Sequence, residues 1–262
     1  MRQDVGERPI TNLYQITDKD LLWPYLRDDT SRQTYALREA IVLVETICQS
    51  LPEGQKINVL DLGCGDGSSY ERFAKLGPKI SWLGLDIEDS PEVRTRVRKD
   101  IPFATYDGVN IPAPVSSFDL VFSHQVLEHV VQPGPLLNDV HRVLKDGGIL
   151  VGSTSQLEPY HSRSIWNFTP YGLVVLLREA GFDEIQLMPG TDGLTLFVRR
   201  LLGMFKVGFG GRFFFEHESP LNLLIELVGK LMSLKRRSFI KLVLSGHFVF
   251  IAKKTFRTKA HE

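Results

Sequence analysis

Apolar positions along the chain follow two rhythms. Short apolar runs, rich in Val, Ile, Leu and Phe, lie at residues 57–62, 80–86, 101–106, 118–123, 149–153 and 182–188. They read as strands, several of them buried on both faces. Between them apolar residues recur at helical spacing: 31–51 (Leu37, Ile41, Val44, Ile47), 68–76, a helix opened by Pro91, 133–145 (Leu136, Leu137, Val140, Val143, Leu144) and 170–180. Thr169 is expected to cap the last of these, and Pro52-Glu53-Gly54 to stop the first. A further helix is expected at 17–26, after a frayed start at 1–9. Alternating strand and helix is the pattern of an α/β domain with helices on both faces of a mostly parallel sheet.

The first strand runs into residues 59–67, V-L-D-L-G-C-G-D-G. Three alternating glycines, Gly63, Gly65 and Gly67, let the backbone turn tightly and approach a ligand closely. Strand, glycine-rich turn, helix is a nucleotide-binding unit. Charge selects the nucleotide. A pyrophosphate would be repelled by Asp61 and Asp66, which bracket the turn. A ligand with an ammonium beside a sulfonium would be welcome there. The stretch resembles motif I of the class I S-adenosylmethionine-dependent methyltransferases. That resemblance implies a Rossmann-like seven-stranded sheet with helices on both faces, closed by an antiparallel seventh strand at 246–252, with S-adenosylmethionine as cofactor.

The resemblance extends from about residue 59 to about residue 188, and it assigns roles. Asp61, Gly63, Cys64 and Gly65 form the cofactor turn. Asp86, about 20 residues after it, suits the ribose diol, and Ile87 packs on the adenine. Residues 107–112, D-G-V-N-I-P, resemble the family's D-A-x-x-L-P, so Asp107 accepts from the adenine amino group and the Gly108 amide meets the ring; Gly replaces the usual Ala. After the fourth strand, S-H-Q-V-L-E-H-V (123–130) resembles the family's x-x-L-E-H stretch. Ser123, His124 and Gln125 then face the methionine moiety and the methyl group, Leu127 points into the core, and Glu128 and His129 begin a helix. Glu88 and Asp89 are expected to cap the helix opened by Pro91. L-K-D-G-G-x-L (144–150) reads as the turn into strand five. Residues 161–169 resemble the H-x-x-x-x-W-x-F-T of the ubiquinone-methyltransferase-like branch, often labelled type 11 or type 23. There His161 is the first candidate for substrate contact or general base, because imidazole titrates near neutrality, with His124 as the alternative base. Arg163, Trp166 and Gln125 complete the expected substrate side.

Composition adds little until charge is mapped. The 262 residues are 43% hydrophobic and 24% charged, with formal net charge zero. From Arg199 onward there are 13 Lys/Arg against four Asp/Glu. That basic part suits an anionic partner or a solvated face. The two cysteines, Cys48 and Cys64, have no metal-type spacing, and no metal site is expected. No signal peptide or membrane-spanning run is evident, so the chain reads as cytoplasmic.

About 55 residues separate strands six and seven, far more than a hairpin needs. They hold an apolar segment at 194–205, a Gly/Phe-rich turn at 208–215, and one helical stretch at 220–244, apolar and then basic. Three readings stay open: a lid over a bulky substrate, a homodimerisation element, or an interfacial helix in peripheral contact with a membrane. The expected division is an N-terminal helical cap (1–56), the cofactor-binding core (57–190), the insertion (191–245), the closing strand (246–254) and a tail (255–262).

Functionally the chain reads as a methyltransferase that mainly aligns donor and acceptor. The N-P-P-Y-type motif of base amino-group methylation is absent after strand four. This favours O-methylation of a small molecule or saccharide, such as a surface polysaccharide or secondary metabolite, over nucleic acid. C- or N-methylation of a quinone-like acceptor and a non-catalytic S-adenosylmethionine-binding partner protein are the alternatives. A nicotinamide dehydrogenase is disfavoured by Asp61.

Overall fold

The computed structural model describes residues 21–27, 33–50, 52, 54–204 and 219–255. After a 3₁₀ turn at Trp23–Tyr25, the helices in chain order are α1 (Ala36–Ser50), α2 (Tyr70–Ala74), α3 (Pro91–Arg94), α4 (Pro133–Val143), α5 (Pro170–Glu179), α6 (Gly193–Met204), α7 (Pro220–Val228) and α8 (Leu234–Val243). The strands are β1 (Ile57–Leu62), β2 (Ile80–Ile87), β3 (Phe103–Tyr106), β4 (Phe118–His124), β5 (Leu144–Ser155), β6 (Glu184–Pro189) and β7 (His247–Lys253). They form one seven-stranded sheet in the order β3-β2-β1-β4-β5-β7-β6. The first five strands are parallel, and β7 runs antiparallel to both neighbours. The chain moves outward from β1 to β3 and then returns to lay β4 beside β1. This reversal opens a crevice at the carboxyl ends of the strands, where such sheets bind ligands.

Each face of the sheet buries its own core. Leu60, Leu62 and Val121 pack with Leu136, Leu137 and Val140 of α4 and Leu173 and Leu177 of α5. Val59, Phe122, Val151 and Val249 pack with Ala36, Ala40 and Val44, a four-residue-spaced stripe on α1. Burying each large side chain stabilises by roughly 1.5–3 kcal/mol, so substitutions along either stripe loosen the sheet that carries the site. Leu22 and Leu26 enter the first core, and Trp23 and Tyr25 pack against it. The rest of the expected 17–26 helix lies outside the described residues.

Four local expectations are corrected. Ser90, not Glu88 or Asp89, caps α3, its Oγ accepting from the Val93 amide at 3.0 Å; a serine one residue before a helix-opening proline is well placed for this. Leu127–His129 forms a single 3₁₀ turn rather than the start of a helix. Residues 146–148 do not end before β5 but bulge within it. Leu144 pairs with Phe118 and pairing resumes at Ile149 with Leu120. Lys254 pins the bulge: its backbone pairs with Gly147 and Gly148, and its Nζ donates to the carbonyls of His141 and Leu144. Finally, 220–244 is two helices. Gly229 ends α7 and the Ser233 Oγ caps α8, both weak helix-interior residues. Glu226 then ties α7 to α8 through Arg237 (2.9 Å) and Lys241 (2.8 Å). The expected Gly/Phe-rich turn at 208–215 lies outside the described residues.

Candidate active site

A cavity of about 590 Å³ opens at the switch point between β1 and β4, within the range of small-molecule and cofactor sites. Its floor is the glycine turn. Gly63, Gly65 and Gly67 all take left-handed φ (+73°, +53°, +78°). A Cβ on Gly63 would lie 2.3 Å from Val126 Cγ2, so the close approach of the two loops requires glycine. The Gly63 and Cys64 amides donate to the Leu85 carbonyl at 2.7 and 3.2 Å, fastening the turn to β2.

Asp86 completes that fastening. One carboxylate oxygen accepts from the Gly65 amide and the other from the Ile87 amide, both at 2.7 Å. Burial raises its pKa, against the pull of those two amides. A carboxylate offers about four acceptor positions, so two remain for a diol facing the cavity. Ile87, partly exposed, and Gly108 line the same wall. Asp107 also lines it, but its oxygens accept from Val109 N (2.8 Å), Asn110 N (2.6 Å) and Asn110 Nδ2 (2.6 Å). These bonds hold its pKa below the usual carboxylate range.

Three of the expected cofactor residues are buried away from the cavity, and a fourth, His124, also lies outside its lining. Asp61 is buried beneath the turn and accepts from the Ser69 hydroxyl. Burial, reinforced by the charge of Asp86, pushes its pKa to about 7. Cys64 is buried beside Gly84, with its thiol pKa raised by burial and the charge of Asp61. Ser123 is buried at the end of β4. None of the three lines the cavity.

The opposite wall comes from the turn after β4 and the loop after β5. Gln125 lines the cavity with φ +54°. It is fixed by its amide to Ser153 O (3.0 Å) and by its side-chain Nε2, which donates to the Ser153 hydroxyl (3.3 Å). Ser162, φ +47°, also lines it. Left-handed non-glycine residues are uncommon and gather at functional sites. His124 projects from β4 with Nδ1 2.7 Å from Ser153 Oγ, outside the cavity lining. Arg163 reaches the rim, 3.7 Å from Asp89.

Glu128 organises this wall. Its buried carboxylate accepts from Thr154 Oγ1 (3.0 Å) and Ser155 Oγ (3.1 Å), and its carbonyl accepts from the Ile165 and Trp166 amides at 2.7 and 3.1 Å. Trp166 donates from Nε1 to the Val130 carbonyl at 2.9 Å. The indole is therefore an anchor, and it does not line the cavity. Phe168 is buried in the core, its amide on Ser155 O, and Thr169 caps α5 through the Gly172 amide at 3.0 Å.

This clamp sets His161 edge-on to His129, ring centroids 5.4 Å apart. His129 lines the cavity; His161 stands behind it, with Nδ1 3.7 Å from Glu158 Oε1. One ligand atom each from Glu128, His129 and His161 lie within 4.8 Å of one another. That set could take a divalent cation, which the spacing of the sequence did not suggest because its members come from two loops. Tyr106, Asp89 and Glu92 also line the cavity. Sequence reasoning passed over them as strand and cap residues, although each stands within a few positions of a strand end.

Comparison with known proteins agrees with this geometry. Residues 60–152 match the model of a methyltransferase domain family. A probable S-adenosylmethionine-dependent methyltransferase of Mycolicibacterium smegmatis is 28% identical over 138 residues, 48% of this chain and 52% of that protein. A ubiquinone biosynthesis O-methyltransferase of Cereibacter sphaeroides is 30% identical over 153 residues, 50% of this chain and 62% of that one. The chain thus spans somewhat over half the length of these relatives. The crystal structure of the [4+2]-cyclase SpnF superimposes with a TM-score of 0.52 at 18% identity, covering 90% of this chain and 94% of that one, which speaks to fold alone. Matched segment, sheet order and glycine turn agree: residues 60–152 are similar to a methyltransferase domain and sit in a seven-stranded sheet of the kind found in class I S-adenosylmethionine-dependent methyltransferases.

Proposed function

We propose that the protein transfers a methyl group from S-adenosylmethionine to a hydroxyl of a small molecule or saccharide, with His161 as general base. One observation carries the reading. His161 stands edge-on to a histidine lining the cofactor-sized cavity, with a carboxylate beside its Nδ1. When bound, S-adenosylmethionine supplies a methyl group already activated on sulfur. The chain's part is to orient and to move a proton. Asp86 and the glycine turn hold the nucleoside end. His161 accepts the acceptor's hydroxyl proton relayed by His129, the imidazole that lines the cavity, and Glu158 steadies the resulting imidazolium. The loop that carries Arg163 covers the rim and excludes water.

A second reading has its own support: Glu128, His129 and His161 could together hold a divalent cation that lowers the acceptor's pKa in place of a free base.

The test is a mass-spectrometric screen of labelled methyl transfer onto nucleotide sugars, polyphenols and quinone precursors. His161→Ala should lower turnover by on the order of 10²–10⁴ with S-adenosylmethionine affinity near wild type. Wild-type turnover in that variant removes the base. Loss of activity on chelation, restored by a divalent cation, selects the second reading. Binding of NAD with exclusion of S-adenosylmethionine, seen by calorimetry, overturns both.

A further inference from the structure

Helix α7 is turned inside out. Its buried position is Asn222, which donates to the Gly190 carbonyl at 3.0 Å, and its one acid, Glu226, faces α8 in the ion pairs with Arg237 and Lys241. Its leucines point the other way. Leu223, Leu224, Leu227 and Val228 are all at least half exposed, and Leu231 just beyond is fully so. A surface helix ordinarily shows water the reverse arrangement. The neighbouring helix α6 repeats the pattern. Gly193, Thr195 and Leu196 are buried, while Leu194, Phe197, Val198, Leu201 and Met204 form an exposed stripe at helical spacing.

Charge says what such a face meets. Among the described residues of 193–244, the exposed charged side chains are Arg200, Lys230 and Arg236, all cations. The only acid of the described residues in 193–244, Glu226, is half-buried and neutralised within the fold. An isologous contact between two copies would set these cations against one another. A surface offering hydrocarbon beneath fixed negative charge satisfies both features at once. No helix among the described residues is long and apolar enough to cross a membrane.

We propose that the exposed α6–α7 face docks the protein on an anionic lipid surface. The inference is independent of the reaction and of the acceptor. It is tested by co-sedimentation of the full chain with phosphatidylcholine vesicles, with and without phosphatidylglycerol. The protein should pellet with the anionic vesicles, and added salt should release part of it. Leu201→Glu and Leu227→Glu should each weaken binding on the order of tenfold. Arg200→Gln and Lys230→Gln, exposed and remote from either core, should each weaken it about fivefold. S-adenosylmethionine affinity, measured in parallel, should stay at the wild-type value and so report intact folding. Wild-type protein that stays in the supernatant with both vesicles overturns the proposal. So does equal binding to both, or a dimer in light scattering that Leu227→Glu splits while vesicles capture nothing.

Discussion

Gly63→Ala measures how tightly the cofactor turn is built. The substitution has two costs that the structure separates. At φ +73° an alanine sits in the left-handed region, unfavourable by about 1–2 kcal/mol. Its Cβ would also lie 2.3 Å from Val126 Cγ2 and 3.1 Å from Cγ1, an overlap that costs about 1–3 kcal/mol to relieve. Gly77→Ala isolates the first cost, because Gly77 has φ +107° and nothing lies within 4 Å of the place its Cβ would take. Urea denaturation should therefore show a loss of about 1–2 kcal/mol for Gly77→Ala and about 2–5 kcal/mol for Gly63→Ala.

Val126→Ala supplies the decisive arm. It removes both methyls that the new Cβ would strike, so the double variant Gly63→Ala/Val126→Ala should recover about 1–3 kcal/mol relative to the sum of the single effects. Gly63 and Val126 both line the cavity, so calorimetry should show S-adenosylmethionine bound about 10- to 100-fold more weakly by Gly63→Ala and normally by Gly77→Ala. Simple additivity, or equal losses at Gly63 and Gly77, would refute the packing argument.

Two further outcomes bear on the acids. Asp61 has its pKa pushed from 3.8 to about 7 by burial and the nearby Asp86 charge, so the folded state binds its proton more tightly than the unfolded chain. Its contribution is complete below about pH 4 and is lost as pH rises through about 7, on the order of 4 kcal/mol in all. Denaturation followed between about pH 5 and about pH 8 should show stability falling, and Asp61→Asn should remove about half of that slope, the rest belonging to Glu128, whose pKa burial likewise raises to about 7; an unaltered slope removes Asp61 from the account. Asp86→Asn leaves one of the Gly65 and Ile87 amides facing an NH₂ group, a loss of about 1.5–3 kcal/mol. S-adenosylmethionine affinity should fall about 10- to 100-fold, and a normal calorimetric isotherm would remove Asp86 from the site.

The first six strands and the cofactor turn were legible because each rests on a local signal: apolar runs for β1 to β6, alternating glycines for the turn, an acid near the end of β2; the seven-stranded sheet and its closing strand came from the family resemblance. Which way a side chain faces was less so. Asp61 and Asp86 stand at equivalent places near strand ends, yet Asp61 is buried under the turn and Asp86 lines the cavity. The register makes the difference: Asp61 pairs with Gly84, so Asp86 stands two residues farther toward the carboxyl edge, while Asp61 is left under the turn, where Ser69 donates to it. The cluster of Glu128, His129 and His161 was hidden for a related reason. More than 30 residues separate its halves, and only the pairing of β4 with β5 joins them.

That pairing also reassigns the most recognisable motif residues. In L-E-H the glutamate carboxylate grips Thr154 and Ser155, and its carbonyl grips the amides of Ile165 and Trp166. In W-x-F-T the tryptophan grips Val130, the phenylalanine fills the core, and the threonine caps α5. The two motifs are halves of one clamp, in which Glu128, Trp166, Phe168 and Thr169 have structural duties independent of any acceptor. Residues that hold a loop in place cannot also vary to suit different acceptors. On the proposed function, discrimination between acceptors is then expected of side chains the clamp presents but does not use, Ser162 and Arg163 on the loop with His161 beside them, and of Gln125 on the same wall. Exchanging residues 161–163 with those of a relative of different acceptor preference should change which acceptor is methylated and leave S-adenosylmethionine affinity intact. Exchanging Trp166 or Phe168 should instead lower stability and both binding steps together.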